Sequence, residues 1–195
     1  EFNEALVLFE KIVTVNASNA IAKIDTSNIF NASLMAIQAN NTEKAIELNH
    51  KLIDLDPSNG EYHLALIKQI GKSDHLESEL AVIKFKKYLN QYYNSQLKLA
   101  RESEKDTVAI IKQIEEIVDL EPKYVFIKYG RIMVPDHSGL IFEEVNYYLA
   151  NNNNEELLKS LEIAIQADSS NKILHFAKGS SLGTLKRYKE AKAAY

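Results

Sequence analysis

An all-α chain built from antiparallel helix pairs is what this sequence predicts, and three observations predict it. Apolar residues recur three and four positions apart through most of the 195 residues, the spacing that lines one face of an α-helix. Polar corners of similar make-up interrupt that pattern at Ala17-Ser18-Asn19, Pro57-Ser58-Asn59 and Asp168-Ser169-Ser170-Asn171. Only 6 Gly and 3 Pro are present, too few for the many tight turns of an all-β design.

The reference unit is Asn41 to Glu61. Thr42 is placed to cap a helix whose Ala45, Leu48, Leu52 and Leu55 share a face, and Pro57 bars its continuation because proline has no N–H and its ring clashes with the preceding turn. Ser58 and Glu61 stand three apart, the spacing of a capping box, so a second helix should start there. Upstream, Phe2, Ala5, Phe9 and Ile12 mark the second helix of a pair. A helix within residues 20–39, capped by Ser27, then carries Ala32, Ser33 and Ala36, small enough to let a neighbouring helix come close.

Downstream, Tyr62, Leu66 and Ile70 predict a helix ended by Gly71, and Ala81, Phe85 and Tyr88 its partner, opening at Asp74. Residues 72–121 hold neither Gly nor Pro. Polar clusters near Asn90 and over Ser103 to Asp106, with a change in phase of the apolar stripe, divide that stretch; one long helix across either point is the alternative. Ile110, Ile114 and Ile117 lie on a helix that Glu121-Pro122 stops. Phe126, Tyr129 and Gly130 suit a short helix closed by Pro135, with a hairpin over Tyr124 to Val134 as the alternative. Leu140 to Ala150 turns Ile141, Val145 and Tyr148 inward, Asn151 to Asn154 is a loop, and Glu155 to Ala167 buries Leu157, Leu158, Leu161, Ala164 and Ile165. The last pair is Ile173 to Leu182 and Tyr188 to Tyr195.

These elements make one helical-repeat domain over residues 1–195, with about five helix pairs, partial repeats at both ends and an irregular insertion near 123–138. The chain opens and stops inside amphipathic helices, so a longer parent polypeptide is expected. Its formal net charge of −4 gives no reason to expect nucleic acid. With no Cys there is no thiolate nucleophile, disulfide or thiolate metal site. No apolar run approaches the roughly 18 residues of a membrane span.

The residues offer no catalytic constellation. His50, His63, His75, His137 and His175 include no pair four apart, the spacing of a helical zinc site, and ordinary packing histidines are the simpler reading of His63 and His75 beside Glu77. Gly179-Ser180-Ser181-Leu182-Gly183 lacks the Lys of a phosphate loop. Glu115-Glu116 and Glu143-Glu144 are adjacent on helices and so diverge around them. Neither enzyme activity nor a cofactor or metal is expected.

Phe2-Asn3-Glu4-Ala5 with Phe9, Tyr188-Lys189-Glu190-Ala191 with Tyr195, and Ala45, Leu52 and Pro57 together resemble the tetratricopeptide repeat family, whose repeat is ~34 residues with small residues where the helices cross and Pro at the corner. The resemblance implies a right-handed superhelical array, an α-solenoid, whose first helices line a concave groove for a peptide or helical segment of a partner protein. On that register Phe30, Leu34, Gln38, Leu64, Lys68, Tyr92, Gln96, Ile173 and Phe176 face the groove. Core packing is the simpler reading of Leu34, Leu64 and Phe176, and packing between layers that of the tyrosines of Tyr88 to Tyr93 and Tyr147-Tyr148, with binding anchors as the alternative. The expected role is an interaction scaffold. The alternative is a regulatory or substrate-positioning part of an enzyme whose catalytic domain lies outside these residues, and open ends allow self-association.

Overall fold

The computed structural model describes residues 2–8, 11, 26–70 and 76–194. Every regular element among them is an α-helix: α1 (residues 2–8), α2 (Thr26–Gln38), α3 (Thr42–Leu55), α4 (Gly60–Gln69), α5 (Leu76–Glu102), α6 (Val108–Glu116), α7 (Pro122–Met133), α8 (Ser138–Ala150), α9 (Asn154–Ala167), α10 (Lys172–Thr184) and α11 (Tyr188–Ala194). Helices adjacent in the chain pack on one another, α2 on α3, α3 on α4, α5 on α6, α8 on α9, α9 on α10 and α10 on α11. The all-α fold of successive helix pairs is present. Two compact units divide the chain, Glu1–Tyr129 and Gly130–Tyr195.

Two kinds of corner make the pairs. At the ends of α2, α5, α8 and α10 a non-glycine residue takes a left-handed φ: Asn40 at 55°, Glu104 at 53°, Asn152 at 53° and Lys186 at 59°. Each closes the same double hydrogen bond. Asn40 N–H reaches the Ile37 carbonyl and Asn41 N–H the Ala36 carbonyl; Asn152 and Asn153 do the same to Leu149 and Tyr148. This is the Schellman arrangement, which satisfies carbonyls that a helix end leaves open. Asn tolerates the conformation better than most residues.

The second corner joins α3 to α4 and α9 to α10. Ser58 N–H and Oγ–H both donate to Asp56 Oδ1, at 3.2 and 2.6 Å, and Asn59 Oδ1 accepts from Glu61 N–H at 3.1 Å. Ser170, Asp168, Asn171 and Ile173 repeat those bonds at 3.3, 2.8 and 3.1 Å. The His63 imidazole donates through Nε2 to the Pro57 carbonyl at 2.8 Å, and His175 to the Ser169 carbonyl at 3.0 Å. Asp-x-Ser-Asn-x-x-x-His is thus one device used twice. The surrounding helices match as well: α2 and α8 have 13 residues each, α3 and α9 have 14 each, and one constant offset in numbering relates both pairs and both corners.

Several expectations are corrected by these bonds. Asn41, not Thr42, caps α3, its Oδ1 accepting from Lys44 N–H at 3.1 Å, because the chain leaves the left-handed Asn40 directly into the cap position. Ser58 does not form a capping box, since its hydroxyl is turned back to Asp56, and Asn59 caps α4. Ser27 lies inside α2, which is already helical at Thr26. Pro122 opens α7 as its first residue, where its missing N–H costs nothing, and α7 replaces the hairpin alternative. No break occurs at Asn90: α5 runs unbroken for 27 residues. Its polar side chains fold onto their own helix, Asn94 Nδ2–H to the Asn90 carbonyl and Ser95 Oγ–H to the Gln91 carbonyl, and without Gly or Pro nothing stops propagation. The break at Ser103 to Asp106 is present. Phe9, Ile12, Ala17 to Asn19, Gly71, Asp74, His75 and Tyr195 lie outside the described residues.

The largely aliphatic core of the first unit holds an aromatic cluster. Phe85 is fully buried with ring centroids of Phe126, Tyr129, His50 and Tyr88 at 4.9, 5.1, 5.4 and 5.5 Å. Ala32, Ser33 and Ala36 of α2 and Ala45 of α3 are buried together, the small residues that allow close helix approach. In the second unit Leu158, Leu182 and Ala191 form one buried cluster with Leu185 and Ala194 against it, beside the buried Leu140, Ile141, Leu157, Leu161 and Leu174. Glu144 there receives Arg131 at 3.1 Å and Ser160 Oγ–H at 3.2 Å, both charged side chains nearly buried.

Left-handed Glu104 and Lys186 carry a steric cost that glycine does not. Glu104→Gly and Lys186→Gly should each stabilise their unit by a few tenths to about 1 kcal/mol. Urea denaturation followed by circular dichroism should show a higher midpoint for both. Lys105→Gly, one residue later, should give no such gain; equal behaviour of Glu104→Gly and Lys105→Gly would remove the strained-cap account.

Candidate functional site

The residues expected to face a partner form short stripes, each with side chains one helical turn apart. On α2, Leu34 and Gln38 are exposed while Phe30 is half-buried, its ring 5.5 Å from Tyr62 of α4. On α4, Lys68 is exposed and Leu64 half-buried. On α5, Tyr92 is exposed and stacks edge-on against Tyr93 at 5.2 Å, with Gln96 half-buried. All of these belong to the first unit. Ile173 and Phe176 of α10 belong to the second and are 77% and 64% exposed. Leu34 and Phe176 are therefore surface residues, not core.

The Phe30–Tyr62 contact brings the α2 stripe against α4. Tyr92 packs instead on its own neighbour, and Tyr148 is buried as a packing residue. The exposure of Ile173 and Phe176 follows from the corner: Asn171 caps α10, so positions 173 and 176 fall on the side away from the buried Leu174 and Leu182.

A polar edge borders the Phe85 core. Asp54 Oδ1 accepts from the Tyr88 hydroxyl at 2.9 Å and Oδ2 pairs with Lys84 Nζ, which also lies 5.5 Å over the Tyr88 ring. Burial opposes the charge on Lys84, but its hydrogen bonds to Asp54 and Tyr88 outweigh that and raise its pKa. Burial raises Tyr88, and burial with the Tyr88 and Asp54 charges raises Tyr129. His50 goes the other way: burial first, then Lys84, lower its pKa against the pull of Asp54, and its Nε2 is buried without a hydrogen bond. The pair and its ring neighbours hold one another in place, and nothing in them converges on an open cavity. Among the described residues no three of His, Asp and Glu come together to hold a metal, and no helix is long and apolar enough to cross a membrane.

A second surface escaped the sequence reading. One face of α5, from Ile83 to Ser95, lines an open cleft of ≈ 800 Å³ closed on its other side by Ile117 and Val118. Lys86 Nζ spans it, donating to the Val118 carbonyl at 2.6 Å. Dividing the helix at Asn90 hid this face, because the stripe is continuous only in an unbroken α5.

Among solved structures the chain is similar to MamA MSR-1 C2, at 14% identity over 99% of this chain and 82% of that one, with a TM-score of 0.48. It is also similar to TTC0263, a thermophilic TPR protein of Thermus thermophilus, at 15% identity over 100% and 79% of the two chains, TM-score 0.44. A third is the MamA RS-1 ArsTM double mutant, at 12% identity over 87% and 89%, TM-score 0.39. No family model and no curated protein matches the chain.

His50 supplies a test of the core. A buried neutral imidazole resists protonation, so between its lowered value and the ordinary 6.5 the unfolded chain binds more protons than the folded one. Stability is therefore complete above 6.5 and falls as pH drops through it. Denaturation midpoints measured from about pH 8 to about pH 5 should fall more steeply for the native protein than for His50→Gln; parallel profiles would show that His50 is not held neutral by the fold.

Proposed function

We propose that the chain is a protein-interaction module that holds a peptide or helical segment of a partner protein on exposed helix faces: Phe30, Leu34 and Gln38 of α2, Leu64 and Lys68 of α4 and Tyr92 and Gln96 of α5 in the first unit, or, as a separate surface, Ile173 and Phe176 of α10 in the second. The observation that carries this reading is the exposure of large apolar side chains on regular, capped helices, Ile173 and Phe176 above all. Burying one such side chain against a partner is worth about 1.5–3 kcal/mol, and a few together make a usable anchor once the cost of association is met. Flanking Gln38 and Lys68 supply polar rim groups. The reading also accords with the repeated corner, which sets helices side by side as a rigid platform and leaves the polar groups of each helix end satisfied within the chain.

Peptides selected from a random display library on the native protein test this. Their affinity should fall about tenfold or more, the equivalent of about 1.4 kcal/mol, in Leu34→Ser/Lys68→Glu or in Ile173→Ser/Phe176→Ser, with circular dichroism unchanged. Selected peptides that bind both variants as tightly as the native protein would remove the stripes from consideration.

A further inference from the structure

The cleft on α5 has a chemistry of its own. At 27 residues α5 is about twice the length of α3 and α9, the next longest helices among the described residues at 14, and one of its faces lines the open cleft. Ile83 and Val118, 65% and 73% exposed, stand on its two sides. Next along the helix come Lys86 and Lys87, then Asn90 and Gln91, so the cleft runs from apolar to cationic to amide over about 18 Å at 1.5 Å per residue.

Charge makes that order informative. Between Glu79 and Glu102 the helix carries Lys84, Lys86, Lys87, Lys98 and Arg101 and no carboxylate at all, in a chain of formal net charge −4. Lys84 is taken up by Asp54, Lys98 by Glu102 at 4.0 Å and Lys86 by the Val118 carbonyl, whereas the exposed Lys87 lines the cleft with no carboxylate of its own helix near it in sequence. Lys86 and Lys87 are the cationic groups of the cleft, and adjacent cations on a protein of net negative charge attract an anionic group and orient its approach.

We propose that this α5 face docks an acidic segment of a partner protein, with an apolar side chain seated between Ile83 and Val118, a carboxylate on Lys87 and the segment's main chain on Asn90 and Gln91. A protein segment is favoured over nucleic acid because the cleft opens on two exposed aliphatic side chains, which offer a phosphate backbone nothing. The inference deepens the interaction-module reading but uses a surface distinct from Leu34, Lys68, Ile173 and Phe176, so the two fail separately.

The test is fluorescence anisotropy of the native protein with an array of labelled 12-residue peptides, each with four Glu and one Leu at varied spacing. Control arrays replace Glu by Lys or Leu by Ser, and an oligouridylate of the same length is run beside them. The best Glu/Leu peptide should bind at least tenfold tighter than both of its controls and than the oligonucleotide. It should weaken with added salt, lose at least tenfold in affinity in Lys87→Glu and in Ile83→Ser, and bind Leu34→Ser/Lys68→Glu normally. Lys87→Gln, the milder change, serves if Lys87→Glu unfolds, and should weaken binding less. Equal binding by native protein and the Lys87 variants, or tighter binding by the oligonucleotide, overturns the proposal. So does a concentration-dependent dimer, seen by sedimentation, that Lys87→Glu dissolves, since the face would then belong to a second copy.

Discussion

Ending helices without leaving their polar groups unpaired is the constraint on which the rest of this structure depends. A chain of short helices, most of 14 residues or fewer, has many ends, and each end presents amides or carbonyls that have no partner inside the helix. Here the carbonyl ends are closed by backbone bonds through a left-handed residue, at Asn40, Glu104, Asn152 and Lys186. The amide ends are closed by Asn41, Asn59, Asn153 and Asn171. An N-cap of this type contributes about 1 kcal/mol, comparable with the burial of a methylene or two, so in a protein of small interhelix contacts the corners weigh as much as many core residues. The abundance of Asn in the chain follows, because Asn serves both in the left-handed position and as a cap.

Fixed corners leave the packing to do less. In the first unit close approach is obtained with Ala32, Ser33, Ala36 and Ala45, and bulk is concentrated at Phe85 and the rings around it. The second unit uses aliphatic Leu158 and Leu182 with the Arg131–Glu144 pair. That ion pair adds definition more than stability, since removing charges from water offsets most of their attraction, while losing one partner alone is costly. The same corner therefore supports two different cores, and side chains on the outer faces are released from structural duty.

Helix periodicity carried most of the fold into view from the sequence, because an amphipathic stripe such as Ala45, Leu48 and Leu52 or Leu157, Leu161 and Ala164 is a direct record of burial. Cap identity was less legible. In Asn40-Asn41-Thr42 and Pro57-Ser58-Asn59 every residue but the proline is a competent cap, and which one serves depends on where the backbone turns, a matter of one residue that composition does not encode. His63 and His175 illustrate a different gap: their bonds to the corner carbonyls become readable only when both corners are laid side by side, seven residues after Asp56 and Asp168 in each case. For the candidate site, the resemblance assigned Leu34, Gln38, Ile173 and Phe176 to a groove, and they are exposed on their helices, but the split at Asn90 concealed the continuous face of α5. Polar Asn90, Gln91, Asn94 and Ser95 look like a helix end because those residue types favour ends; on a solvent face, bonded to their own helix, they terminate nothing.

Burial and charge on α5 are linked by the same logic. α5 buries Ala81, Phe85, Leu89, Leu97 and Ala100 along one side, so its opposite side must be polar or held by something else. The solvent side carries five basic residues with no acid between Glu79 and Glu102, two of them paired with Asp54 and Glu102. Charge does not account for Ile83 and Val118. A purely solvated face would have no use for two exposed aliphatic side chains at the mouth of a cleft where Lys86 donates to the Val118 carbonyl just past α6. A cleft with one apolar end and one cationic end distinguishes segments by the order of their side chains, which is the physical basis on which the proposal of an acidic occupant rests.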